Sequence, residues 1–272
     1  MPKTSKPTLI AAAILVATLG GASSALTLAP GSDVALSDNF VLGPTSPGKW
    51  GTPTMGTGAH VTYSFMGSDL EVERGRTTVA LSTFMPAGFE AEIAAAFDAW
   101  SAVADITFTE VPDPGVDWRD PGADAADIRL TGHAFDGPRG ALAHSFYPPN
   151  NGGAAAGDIH FDSEDTWKIG FGEAGFDIFQ VAAHEIGHAI GLDHECGDNG
   201  NDIPCKVALM NPFYTEDFRG LKPDDIVGAR AIYGAAVAPV PLPASLPLIA
   251  GALALLGGLG LRRRAVDMVR TH

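Results

Sequence analysis

The stretch HEIGHAIGLDH, residues 184–194, constrains this chain more than any other. His184 and His188 are four residues apart, so on a helix they share one face and reach a single metal ion. Gly191 lets the chain leave that helix through a left-handed conformation, which turns His194 back toward the same point. Three neutral imidazoles leave a fourth tetrahedral position for water, the layout of a catalytic rather than a structural Zn2+ site. Glu185 lies beside the first ligand, where its carboxylate reaches such a water. The competing reading is a helix end whose histidines only cap or face solvent. The addition of Gly191 and His194 at fixed spacing makes a chance match rare.

Length and composition leave room for one domain with tails. The chain has 272 residues, 46% of them hydrophobic, enough to bury a core and to exclude disorder throughout. A formal net charge of −15 argues against a nucleic-acid partner. Residues 1–25 have the layout of a signal peptide: Lys3 and Lys6, an apolar run over 9–19, then Ser23 and Ala25 at the −3 and −1 positions. Near the other end, residues 244–261 are apolar and uncharged, and Arg262, Arg263 and Arg264 follow. That is a membrane-span length with its basic residues on the cytoplasmic side. The only two cysteines, Cys196 and Cys205, suit a disulfide closing a short loop in an exported protein.

Residues 26–48, rich in Gly, Pro and Ser, read as a linker or short pro-segment, and 236–243 as a Pro-rich linker. Between them, 49–235 is the globular part. Residues 60–66, HVTYSFM, alternate as a strand does, and ITFTEV, DIRLTG, ALAHSFY and GDIHFD are further strands. Phe89, Ile93, Phe97 and Trp100 recur at helical spacing. A second helix over 177–190, with Asp177 as N-cap, carries the histidines. A last helix over 223–233 begins with a proline and stops at Gly234. The acidic stretch 113–127 reads as a surface insertion. The fold class is α/β (α+β), one domain.

In ordered segments from Lys49 to Gly234, the chain resembles the matrixins, the matrix-metalloproteinase family within the metzincins. The likeness rests on HVTYSF, AAAFDAWSAVADITFTEV, FDGPRGALAHSFYPP, GDIHFD, the HEIGHAIGLDH stretch, ALMNPFY and LKPDDIVGARAIYG. The resemblance implies a twisted, mostly parallel sheet of about five strands with three main helices. It implies His184, His188 and His194 as ligands of a catalytic zinc, Glu185 as general base, and Met210 as the floor beneath the metal. Leu142 and Ala143 would lie on the strand that pairs with an extended protein or peptide substrate. Pro212, Phe213 and Tyr214 would wall the pocket for the side chain after the cut bond, and Gln180 would line it or act as a capping side chain. Asp136, Gly137, Arg139 and Ala141, facing Asp162 and Asp165, match a calcium loop. His144 and His160 match two ligands of the family's structural zinc, and His133 stands where it replaces a missing one. Arg129 and Thr131 occupy the other two ligand positions, so the expectation there is an ordinary polar surface rather than a second zinc. No cysteine precedes the domain to act as a latency switch. Glu195 follows the third histidine where matrixins usually carry serine.

The segment VPLPA at 240–244, followed by the apolar run and the arginines, resembles C-terminal sorting signals of exported Gram-negative bacterial proteins. This implies transient anchoring by residues 244–261, with 262–272 as a cytoplasmic tail. A sorting enzyme would then process the chain, which would be delivered to the cell surface or medium. Two functions follow from these readings: an exported zinc endopeptidase, or a non-catalytic metal-binding or adhesion module of the cell surface.

Overall fold

The computed structural model describes residues 48–149, 153–195 and 207–237. The expected signal peptide, nearly all of the first linker, Cys196 with Cys205, and the C-terminal apolar run and tail lie outside the described residues. Among the described residues no helix is long and apolar enough to cross a membrane.

Five strands form the sheet: β1 (Ala59–Phe65), β4 (Ile106–Glu110), β5 (Ile128–His133), β6 (Ala143–Ser145) and β7 (Ile159–Asp162). Their order is β4-β1-β5-β7-β6. All neighbours are parallel except β6, which runs antiparallel to β7 and, among the described residues, has no strand on its other edge. Short ladders complete the β structure: β2 (Glu71–Val72) with β3 (Arg76–Thr77), and β8 (Trp167–Lys168) with β9 (Phe176–Asp177).

Alternation along β5 and β7 divides the sheet into two chemical faces. Ile128, Leu130, Ile159 and Phe161 join one hydrophobic core with the helices. That core takes Phe89, Ile93, Phe97 and Trp100 from α1 (Phe89–Ser101), confirming the helical spacing read in the sequence. It also takes Ile178, Val181, Ala182 and Ile186 from α2 (Ile178–Ala189), and Ala229, Ile232 and Tyr233 from α3 (Pro223–Tyr233). The Asp177 carboxylate accepts the Gln180 N–H at 2.8 Å, so the expected N-cap opens α2. Gly234, at φ +83°, ends α3.

The other face is polar yet buried, and the loop read as a surface insertion contributes to it. Residues 113–127 are not simply a surface insertion. The Asp113 carboxylate accepts two hydrogen bonds from the fully buried Arg129 guanidinium, both at 2.9 Å, and one from Ser64 at 2.8 Å. Burial pushes Asp113 up, but Arg129, the Gly115 amide and Ser64 outweigh it and hold the carboxyl below its ordinary range. The same loop accepts the Glu71 N–H on Asp117 and donates the Trp118 N–H to the Glu71 carbonyl. It therefore lies against the β2–β3 hairpin and closes the polar face.

An isolated buried guanidinium is far costlier than a paired one. Asp113→Ala should therefore lower unfolding free energy by about 3 kcal/mol, read as a shift in the midpoint of chemical denaturation. Arg129→Met, which removes the buried charge instead of orphaning it, should cost less.

Candidate active site and metal centres

Helix α2 is pinned before it carries any chemistry. The Trp100 indole N–H donates to the Ala183 carbonyl at 2.9 Å, and that of Trp50 to the Ala189 carbonyl at 2.8 Å. His184 Nδ1 lies 2.8 Å from the Leu209 carbonyl, and His188 Nδ1 lies 2.7 Å from that of Leu192. A carbonyl only accepts, so both Nδ1 atoms carry the proton. In the neutral rings each Nε2 is then a bare lone pair, and the two Nε2 atoms face each other at 3.0 Å. Two lone pairs at that separation repel unless a cation lies between them. Ligands of a tetrahedral zinc stand about 3.3 Å apart, so the spacing fits.

Gly191, at φ +108°, turns the chain out of α2, and a Cβ there would lie 2.3 Å from the Gly48 carbonyl oxygen. The turn brings the His194 ring to 4.8 Å from that of His188 and 5.3 Å from that of His184, centre to centre. The three ligand atoms lie within 4.8 Å of one another, and all three histidines are buried. The Asp193 carboxylate accepts the His194 N–H at 2.7 Å and the Tyr147 hydroxyl at 2.9 Å. Tyr147 meets the His188 ring edge-on. Neither residue was singled out in the sequence, where nothing marks them as partners.

Glu185 is fully buried. Ser145 Oγ donates to its Oε2 at 2.8 Å, while Oε1 has no hydrogen-bond partner. Burial pushes this carboxyl up to about 8, with the Ser145 hydrogen bond pulling the other way. Met210 packs against α2 between the two helical histidines, where a Cβ on Gly187 would come within 2.4 Å of its sulfur. The Met210 turn is held by Asp225 of α3, whose buried carboxylate accepts the N–H groups of Leu209, Met210 and Lys222. In the sequence Asp225 reads only as a favourable charge at a helix start. The Glu195 N–H bonds the Met210 carbonyl at 3.0 Å, closing the path from the third histidine to the turn.

Leu142 and Ala143 are buried, the first leading into β6 and the second within it, beside the unpaired strand edge. Phe213 is exposed, Pro212 buried and Tyr214 half-buried. The Tyr214 hydroxyl accepts the Asp177 N–H at 3.0 Å and donates to Glu216 at 3.0 Å, which fixes the wall segment to the start of α2. Gln180 is also buried, and its side-chain oxygen accepts the Gly220 N–H at 2.9 Å, bracing the loop before α3.

A second cluster overturns the expectation of a polar surface around His133, His144 and His160. All three are buried, and they meet Glu73. Glu73 lies in the turn Glu73–Gly75 between β2 and β3, where Arg74 at φ 61° and Gly75 at φ 68° reverse the chain. Its carboxylate is 3.7 Å from His133 Nε2, 3.3 Å from His144 Nε2 and 3.3 Å from His160 Nδ1. None of these contacts is aligned as a hydrogen bond, and the facing atoms have no other partner. Atoms so placed gather round a common point at the spacing of tetrahedral ligands, and the set of three nitrogens and one oxygen suits zinc. Glu73 carries no local motif, because it comes from a segment some sixty residues before the first of these histidines.

The loop read as a calcium site closes on its own amides. Asp136 accepts the Ala141 N–H, Asp165 accepts that of Arg139 at 2.7 Å, and the Gly137 carbonyl accepts that of Gly140. Gly137 and Arg139 both adopt positive φ. One oxygen each of Asp162 and Asp165 is buried without a partner. Burial first, then the neighbouring carboxylates, raise Asp162 and push Asp165 up to about 6. Carboxylates that crowd and repel in this way fit a hard cation.

In the metal-stripped protein the buried imidazoles should make stability fall as pH falls, while the raised carboxyls of Glu185 and Asp165 oppose them. Burial, followed by neighbouring histidine charge, lowers His184 from 6.5 to about 3. Burial also lowers His144 to about 4, against the opposing pull of Glu73. Below 6.5 the unfolded chain binds protons that these folded imidazoles refuse, so stability is lost as pH falls from 6.5 toward 4. Glu73 adds to the same trend: burial would raise it, but the three imidazoles hold it well below the carboxylate range. Chelator-treated His144→Gln should therefore lose less thermal stability than the wild type as pH falls from 6.5 to 4.

A family model described as Matrixin matches residues 60–234. The chain is 37% identical to karilysin of Tannerella forsythia over 153 residues, 53% of this chain and 28% of that protein. It is 40% identical to stromelysin-3 of Rattus norvegicus over 147 residues, 52% of this chain and 26% of that protein. With matrix metalloproteinase-16 of Homo sapiens it shares 36% identity over 185 residues, 64% of this chain and 26% of that protein. The chain thus spans about a quarter of the length of these curated relatives. The matched region contains the three convergent histidines, Glu185, the Met210 turn and the mostly parallel five-stranded sheet, and on that match the chain belongs to the matrixin family.

Proposed function

We propose that the chain is an exported zinc endopeptidase. The observation that carries this reading is Glu185: one carboxylate oxygen fixed, the other unpartnered, beside three converging histidines. His184, His188 and His194 would hold the zinc, which would supply a Lewis acid to polarise the scissile carbonyl and acidify the attacking water. Glu185 takes the proton of that water at Oε1 and later gives it to the leaving amine. The free edge of β6, entered through Leu142 and Ala143, holds an extended protein or peptide by strand addition. Pro212, Phe213 and Tyr214 flank the side chain that follows the cut bond, with Gln180 bracing the loop behind them. A metal-binding adhesion module would have no use for a buried carboxylate in this position.

Purified protein should cleave casein or gelatin and lose that activity to a zinc chelator. Glu185→Gln should lower kcat by about 10²–10⁴ while zinc stays bound. Full activity in that variant would refute the mechanism.

The remaining parts of the reading have separate supports. The Glu73, His133, His144 and His160 cluster supports a second zinc that ties the β2–β3 hairpin to β5, β6 and β7. Metal analysis should then find about two zinc ions per chain, and Glu73→Gln should lose one of them while keeping the catalytic ion. Asp136, Asp162 and Asp165, with the carbonyls of Gly137, Arg139 and Ala141, support calcium. Export rests on the pattern of residues 1–25. Transient anchoring and sorting rest on VPLPA and the apolar run that follows it.

A further inference from the structure

We infer that Ser145 is a positioning residue for the general base, an inference that rests on the proteolytic reading above. The geometry comes from strand alternation in β6. His144 pairs in register with His160 and turns toward Glu73, so Ser145, the next residue, faces the opposite side of the sheet, where α2 lies. There its Oγ donates to Glu185 Oε2 at 2.8 Å. Both residues are fully buried, so no solvent competes for that bond.

A carboxylate has two equivalent oxygens and a broad terminal torsion. Fixing Oε2 therefore fixes where Oε1 points, and Oε1 is the oxygen without a partner in the site. The hydroxyl engages one oxygen of the base and leaves the other free. Without it the carboxylate turns about its torsion, and a buried acceptor is left unsatisfied. Ser145 Oγ is spent on Glu185, while strand addition along β6 uses backbone groups only. The loss therefore falls on the chemical step and not on substrate binding.

The test combines kinetics with a binding cycle. Ser145→Ala should fold with unchanged zinc content, keep KM, and lose about tenfold in kcat. Ser145→Thr, which restores a hydroxyl, should recover most of the loss. A small hydroxamic acid chelates the zinc and passes its hydroxyl proton to the base, so its affinity reads the placement of Glu185 without turnover. Ser145→Ala should weaken that affinity several-fold in the wild-type background and not at all in Glu185→Ala. Unchanged kcat and hydroxamate affinity would overturn the inference, as would a weakening that persists in Glu185→Ala. Wild-type protein that binds the hydroxamate but cleaves no substrate sinks the proteolytic reading instead, and the binding cycle still decides the clamp.

Discussion

The organisation of this domain depends on two hydrogen bonds that direct imidazole lone pairs. His184 and His188 each give their Nδ1 proton to a backbone carbonyl, that of Leu209 and that of Leu192. Those bonds choose the tautomer and bring two bare Nε2 atoms to 3.0 Å. Such an arrangement is unfavourable by itself and becomes favourable with a divalent cation. Much of the surrounding structure keeps the two carbonyls in place. Asp225 holds the turn that contains Leu209, and the sharp left-handed exit at Gly191 places Leu192.

Strand β6 is where the other parts of the site meet. Three residues long, it offers its free edge outward, takes His144 to the buried polar face, and takes Ser145 to Glu185. Its antiparallel pairing to β7 sets His144 beside His160. The polar face of the sheet and the Glu185 site thus meet two sides of one short strand. The hairpin carrying Glu73 accordingly meets the same short strand that carries Ser145, and the loop carrying Asp113 lies against that hairpin.

The legible parts of the sequence were those with short-range signals. Phe89, Ile93, Phe97 and Trp100 announced α1 because helical periodicity is local, and the histidine spacing announced α2 with its exit turn for the same reason. Asp177 and Gly234 marked helix ends through backbone chemistry that acts within a few residues. The reading was incomplete at residues 113–127, which are mostly exposed or half-buried as their acidic composition suggests, but whose Asp113 pairs with buried Arg129. Composition reports charge, and burial of a charge depends on a distant partner. The same reason hid Glu73, and it turned the set of His133, His144 and His160 into an expected surface.

By itself the sequence determined the spacing of His184, His188 and His194 over a helix and its exit turn, and the adjacent Glu185, because these are written in consecutive or regularly spaced residues, whereas the Met210 turn was legible only through the resemblance to the matrixins. Only the tertiary structure decided which oxygen of Glu185 is free, which carboxylate joins the second histidine cluster, and what holds the Met210 turn. Those outcomes involve Ser145, Glu73 and Asp225, each brought to its partner by sheet register or chain reversal over separations that no local pattern encodes.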